Sequence, residues 1–186
     1  MNRDPICMKN DMLKTLYSKQ DLENTVARLG REITADYQGK TPVMVAVLKG
    51  AFIFMADLVR AIDIPCTVDF MVVSSYGKGT TSSGAVKIIK DLDTNIEGKD
   101  VIIVEDILDS GITLSNLIRI LNQRHPASIK ICTLFDKPAR HKVEIAVDYN
   151  GPEVPDEFIV GYGLDYAEIY RNYPEIAVLK PEVYGE

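Results

Sequence analysis

From Ser18 onward the chain takes on the spacing of an amphipathic helix. Leu22, Val26, Leu29 and Ile33 recur three or four positions apart with polar residues between them, which predicts a helix over 18–38. Ser18, followed three positions later by Asp21, has the form of a capping box at its start. Thr41-Pro42 breaks the pattern, and VMVAVL (43–48) follows with no polar alternation, as a strand covered on both faces requires. Lys49-Gly50 ends that strand. AFIFMADLVRAI (51–62) predicts a helix and, after Pro65, CTVDFMVVSS (66–75) a second strand. The polar stretch YGKGTTSSGA (76–85) separates it from VKIIKD (86–91), so these two flanks predict an antiparallel excursion with a flexible tip. VIIVED (101–106) is again apolar up to its acidic end. A helix over 113–124 and a strand over 128–136 come next. EFIVGYGLD (157–165) mixes strand and turn residues, and IAVLK (176–180) is a short apolar run.

Buried strands alternating with helices predict an α/β fold with a mostly parallel sheet flanked by helices and joined by right-handed crossovers. No internal repeat or long Pro/Ser-rich linker divides the 186 residues, which predicts a single domain over 1–186. In such sheets ligands bind at the carboxyl ends of the strands. The rule singles out Lys49-Gly50, the segment Glu105 to Thr113, and Asp136-Lys137.

Composition narrows the function classes. The formal net charge is -6, with no dense Lys/Arg run, which argues against a nucleic-acid coat and leads us to expect no nucleic-acid partner. A small phosphorylated ligand needs only a few backbone N–H groups, one or two cations and a metal, so it is compatible with that charge. Cys7, Cys66 and Cys132 are widely spaced without a CxxC pair, as reduced thiols would be. No stretch approaches the ~18 apolar residues of a membrane span, so a cytoplasmic protein without a membrane partner is expected.

VIIVEDILDSGIT (101–113) carries the most chemistry. A hydrophobic strand delivers Glu105 and Asp106, Asp109 follows, then Ser110-Gly111-Ile112, then Thr113 at a helix start. Small residues let successive N–H groups converge on a phosphate, and the helix N-terminus adds its dipole. Carboxylates beside a phosphate would repel it unless they hold ribose hydroxyls or a magnesium ion. Glu-Asp or Asp-Ser-Gly alone is more often an acidic turn or a helix cap; the ordered string reverses those odds in favour of an anion site. It is neither a GxxxxGK[ST] loop nor a GxGxxG turn.

The segment resembles the phosphoribosyl pyrophosphate signature of type I phosphoribosyltransferases, and further matches between about Val43 and Arg171 resemble the hypoxanthine-guanine branch. Leu48-Lys49-Gly50 is similar to that family's pyrophosphate loop, and Ser75-Tyr76 to the start of its mobile closing loop. Lys137, in LFDKPAR, is similar to the lysine that reads the purine 6-oxo group, and FIVGYGLDYAEIYR (158–171) resembles the base-binding segment. The resemblance implies a core over about 40–150 and a small hood from the N-terminal residues and about 151–186. It implies that Lys49, Gly50, Glu105, Asp106, Asp109, Ser110, Gly111, Ile112, Thr113 and Arg171 bind phosphoribosyl pyrophosphate. Phe158 would stack on the purine, Ile159 would offer backbone contacts, and Asp165 would lie near the base and a metal-bound water. Mg2+ would be held by Glu105, Asp106 and Asp165, and Asp109 would be the general acid or base. A homodimer or homotetramer engaged in purine salvage is the implied form.

Two other readings share the signature. One is a regulatory protein of this fold that senses nucleotides and binds RNA, for which a basic face would be needed. The other is a transferase acting on xanthine, adenine or a pyrimidine; Lys137 and Phe158 favour a 6-oxopurine, while the C2 substituent is not legible in the residues. The first forty residues carry no motif, and His125 and His141 have no assigned role.

Overall fold

The computed structural model describes residues 8–75 and 86–185. In chain order the elements are α1 (Met8–Asp11), β1 (Met12–Tyr17), α2 (Lys19–Asp36), β2 (Val43–Leu48), α3 (Phe52–Ala61), β3 (Thr67–Ser75) and β4 (Val86–Lys90). They continue with β5 (Asp100–Leu108), α4 (Ile112–Asn122), β6 (Ser128–Asp136), β7 (Tyr149–Asn150), β8 (Ile159–Val160), β9 (Ile176–Leu179) and α5 (Pro181–Tyr184). A six-stranded sheet has the order β4-β3-β2-β5-β6-β7, parallel throughout except for β4, which runs antiparallel to β3. The predicted antiparallel excursion is therefore present. Its tip, residues 76–85 with Tyr76 of the expected closing loop, lies outside the described residues, and Ser75 is the last residue of β3.

Strand β2 explains why the sequence lacked alternation. Met44 and Ala46 pack on one face with Leu29, Ile33, Phe54 and Leu58 of α2 and α3. Val43, Val45 and Val47 pack on the other with Leu114, Leu117 and Leu121 of α4. Both faces are dry, so neither parity of the strand can be polar. The α2 start is the predicted box: the Ser18 N–H donates to Asp21 Oδ2 at 2.9 Å and the Asp21 N–H to Ser18 Oγ at 3.3 Å.

A second, three-stranded sheet, β1-β9-β8, is antiparallel and joins the two ends of the chain. Strand β1 was not expected. Its sequence, MLKTLY, buries only Met12 fully, so no local periodicity marks it, and its pairing with β9 creates it. Strand β5 also runs past the predicted 101–106, because Ile107 and Leu108 continue the ladder opposite Phe135 and Asp136 of β6. Of the mixed segment 157–165, only Ile159–Val160 is strand.

Candidate functional site

Strands β2, β5 and β6 run parallel, so their carboxyl ends emerge side by side. Lys49 and Gly50 follow β2, and the Leu48–Lys49 peptide is cis. Glu105 and Asp106 lie near the end of β5, and Lys137 follows β6. The Asp106 carboxylate occupies the space that a β-carbon on Gly50 would need, and a β-carbon on Gly163 would in turn meet the Gly50 carbonyl. Three distant segments are thus in contact at backbone distance.

The loop after β8 supplies the charge partners. Arg171 Nη2 is 2.8 Å from Asp165 Oδ1, and its Nη1 donates to the Gly163 carbonyl at 2.8 Å. One oxygen of Glu168, Oε2, is 3.0 Å from Lys49 Nζ and 3.4 Å from Arg171 Nη2. The backbone N–H of Glu168 donates to Asp165 Oδ2 at 2.9 Å. Arg171 Nε is buried with no hydrogen-bond partner among the described residues. A buried cationic donor left unpaired is unfavourable by itself and suits a site that an anion completes.

Glu105 and Asp106 are half-buried. Burial, then the neighbouring Asp106 charge, holds the Glu105 carboxyl well above the usual carboxylate range. Asp106 is pushed up to about 6, chiefly by removal from water; Asp165 adds repulsion, against the opposing pull of the Ile107 N–H and Arg171. Two adjacent carboxylates that resist ionisation together suit a cation. Among the described residues no three His, Cys, Asp or Glu side chains form a metal cage. Glu105, Asp106 and Asp165 would therefore need oxygens from a ligand to complete a magnesium shell, which is the usual arrangement for Mg2+ bound with substrate phosphates.

Ser110, Gly111, Ile112 and Thr113 form the turn into α4. Gly111 caps the helix with φ 74°, a left-handed conformation that a residue with a β-carbon adopts only at a cost. The Ile112 N–H makes a long bond to Ser110 Oγ at 3.4 Å, and the first-turn N–H groups that follow it in α4, beginning with Thr113, lack intrahelical acceptors, as an anion site needs.

The base-side residues converge on a different wall. Asp109, Lys137, Phe158 and Ile159 line one cavity of about 570 Å3 together with Ile107 and Tyr184. Lys137 is only 8% exposed, and its Nζ donates to the Glu157 carbonyl at 2.9 Å. Asp156 Oδ1 lies 3.8 Å from the same ammonium, an ion pair too long for a hydrogen bond, so donors of Lys137 remain for a ligand. The His141 ring bonds Asp136 at 2.6 Å, tying down the turn that delivers Lys137 and giving His141 a role the sequence did not suggest. Phe158 remains 39% exposed. A second cavity, about 680 Å3, lies between α2, α3 and residues 172–174 and contains none of the predicted residues.

A family model, the phosphoribosyl transferase domain, matches residues 12–167. The chain belongs to the phosphoribosyltransferase family. It is 56% identical over 177 residues to the hypoxanthine-guanine phosphoribosyltransferase of Bacillus subtilis (strain 168), covering 95% of this chain and 98% of that one. It is 55% identical over 179 residues to the bifunctional protein TilS/HprT of Listeria monocytogenes serotype 4b (strain F2365), of whose length it spans 28% and which covers 96% of this chain. The crystal structure of a hypoxanthine phosphoribosyltransferase from Staphylococcus aureus superimposes with a TM-score of 0.94 at 50% identity, covering all of both chains.

For a phosphoribosyltransferase of this branch, the residues gathered at the strand ends form two compartments, one built from the charges of Lys49, Asp106, Asp165 and Arg171 and one that mixes the apolar Ile107, Phe158 and Ile159 with Asp109 and Lys137. Ile107 and Tyr184 are additions to the predicted set. Ile107 was foreshadowed only as one of two apolar residues, with Leu108, that carry β5 on between Asp106 and Asp109. Tyr184 had no local signal.

Proposed function

We propose that the protein transfers the 5-phosphoribosyl group of phosphoribosyl pyrophosphate to hypoxanthine or guanine, giving inosine or guanosine monophosphate and pyrophosphate in purine salvage. The observation that carries this reading is the shared cavity of Asp109, Lys137 and Phe158, set beside the Glu105-Asp106 pair and the Lys49-Arg171 cations. It is supported by relatives more than half identical over nearly the whole chain that are named hypoxanthine-guanine phosphoribosyltransferases.

In the proposed reaction purine N9 bonds to the ribose C1, and the bond from C1 to the pyrophosphate oxygen breaks. Charge separates in the transition state, as it does at a glycosidic carbon. Lys49, Arg171 and the N–H groups around Gly50 receive the departing anion, the largely buried Arg171 making the stronger contact and the exposed Lys49 the weaker. Magnesium, held by Glu105 and Asp106 with oxygens of the substrate, would neutralise charge growing on the leaving group. Asp165 would bear on that ion through water. The purine proton passes from N7 to Asp109, which faces the base cavity. Lys137 donates to the 6-oxo oxygen; the amino group of adenine cannot accept that bond, so 6-oxopurines are favoured. Phe158 stacks on the ring, and the backbone of Ile159 contacts its edge.

We further place the protein in the cytoplasm as a homodimer or homotetramer. No described helix is long and apolar enough to cross a membrane.

The role of Asp109 is tested by Asp109→Asn. Turnover should fall by about two to four orders of magnitude, the usual worth of a general acid or base, with the KM for phosphoribosyl pyrophosphate nearly unchanged. Unchanged turnover would remove Asp109 from the proton transfer.

A further inference from the structure

The turn α5 lies far along the chain from the signature segment, yet it reaches the base compartment. Lys180 fixes its start twice: its N–H donates to the Asp11 carbonyl at 2.9 Å and its Nζ to the Asn10 carbonyl at 2.6 Å. Pro181 opens the turn, and Gly185 closes it with φ 85°. Val183 and Tyr184 then pack against the cluster of Met12, Val160, Tyr170 and Leu179. With its start tied to residues 10 and 11 and the Gly185 N–H closing the turn on the Pro181 carbonyl at 3.0 Å, the Tyr184 ring is directed at Phe158.

The two rings stack, with centroids 5.0 Å apart and planes at 25°. Tyr166 meets Phe158 edge-on at 5.5 Å and 88°, and meets Tyr184 at 6.3 Å and 64°. Tyr166 is the neighbour of Asp165, whose carboxylate is held by Arg171. The three rings therefore join the chain end to both compartments. Phe158 keeps 39% of its surface exposed despite these contacts, which is the area left for a ligand. Aromatic pairs of this offset geometry hold a ring in place beyond what area burial alone supplies.

We propose that Tyr184 is a base-positioning residue, which backs Phe158 so that its remaining exposed surface meets the purine in one fixed plane. This rests on the reading of the cavity as a purine site. Tyr184 does not touch the reacting atoms. It acts by removing the rotational freedom of Phe158, so its loss weakens base and nucleotide binding and spares the pyrophosphate compartment. The ring makes the contact, so phenylalanine should serve and leucine, which fills space without a flat face, should not.

The experiment compares the parent protein with Tyr184→Phe and Tyr184→Leu in calorimetric titrations with inosine monophosphate and in steady-state assays varying hypoxanthine and phosphoribosyl pyrophosphate separately. Tyr184→Phe should stay within about twofold of the parent in every parameter. Tyr184→Leu should raise the hypoxanthine KM and the inosine monophosphate Kd about three- to tenfold, with the phosphoribosyl pyrophosphate KM within about twofold. Unchanged inosine monophosphate binding in Tyr184→Leu overturns the proposal, as does an equal rise in both KM values, which is the signature of general loosening. A parent that neither binds inosine monophosphate nor turns over any base fails the purine-site reading itself, and does so before any variant is compared.

Discussion

The Asp106 carboxylate sits where a β-carbon on Gly50 would have to be. Gly50 ends the turn after β2 and Asp106 lies in β5, so this contact sets the spacing between the loop that would cradle pyrophosphate and the acid that would hold magnesium. Gly50 shows no positive φ; the constraint is space alone. Gly50→Ala should therefore leave the fold intact and displace one of the two groups. A misplacement near 1 Å costs about 100-fold where geometry is catalytic. We expect kcat/KM for phosphoribosyl pyrophosphate to fall by about two orders of magnitude with a thermal midpoint within a few degrees of the parent. Full activity in Gly50→Ala would mean that this contact does not set the site.

The raised pKa of Asp106 gives a pH signature. In the unfolded chain an aspartate ionises near its ordinary value of 3.8, whereas the folded chain holds the proton up to about 6. The folded state thus binds more protons in that window, and stability is lost as pH rises from about 4 through about 6. Glu105, its carboxyl also held well above the ordinary range by burial and then by the Asp106 charge, contributes in the same direction. Without metal or substrate, Asp106→Asn should melt above the parent at pH 8, and the difference should close toward pH 4. Parallel melting curves for parent and variant across that range would contradict the assignment.

The oxygen that Glu168 shares between Lys49 and Arg171 competes with the proposed pyrophosphate site. Lys49 first, with Arg171 behind it, pulls the Glu168 carboxyl below the ordinary range, so it is ionised at neutral pH. The side chains of Lys49 and Glu168 are 63% and 64% exposed, so the contact is weak and an incoming anion displaces it readily. Glu168→Gln should tighten inhibition by pyrophosphate about two- to fivefold, an effect that shrinks in high salt. Product-inhibition kinetics at low and high ionic strength would measure it, and weaker inhibition in the variant would sink the idea.

How much of this was legible beforehand follows from which forces are local. Strands β2, β5 and β6 declared themselves because both faces are buried, and α2 because its cap and its apolar stripe agree. The acids at the end of β5 were visible because charge at the end of an apolar run is conspicuous. Strand β1 was invisible because only its pairing with β9, more than 150 residues away, makes it a strand. Ile107 and Tyr184 were missed for related reasons. An apolar residue at the end of a strand carries no chemistry of its own, and a tyrosine near the chain end acquires meaning only when α5 brings it to Phe158. The contact between Gly163 and Gly50 is likewise a product of tertiary packing.

The most direct test incubates the protein with magnesium and phosphoribosyl pyrophosphate and, in separate reactions, hypoxanthine, guanine, xanthine, adenine or uracil. Nucleoside monophosphate and pyrophosphate are quantified by chromatography. The account predicts magnesium-dependent formation of both products in equal amounts from hypoxanthine or guanine, with adenine and uracil far slower because neither satisfies both Lys137 and the stacked cavity. Formation of no monophosphate from any base, in a protein that still binds nucleotide, would contradict it and point to the nucleotide-sensing reading, with RNA binding as its next test.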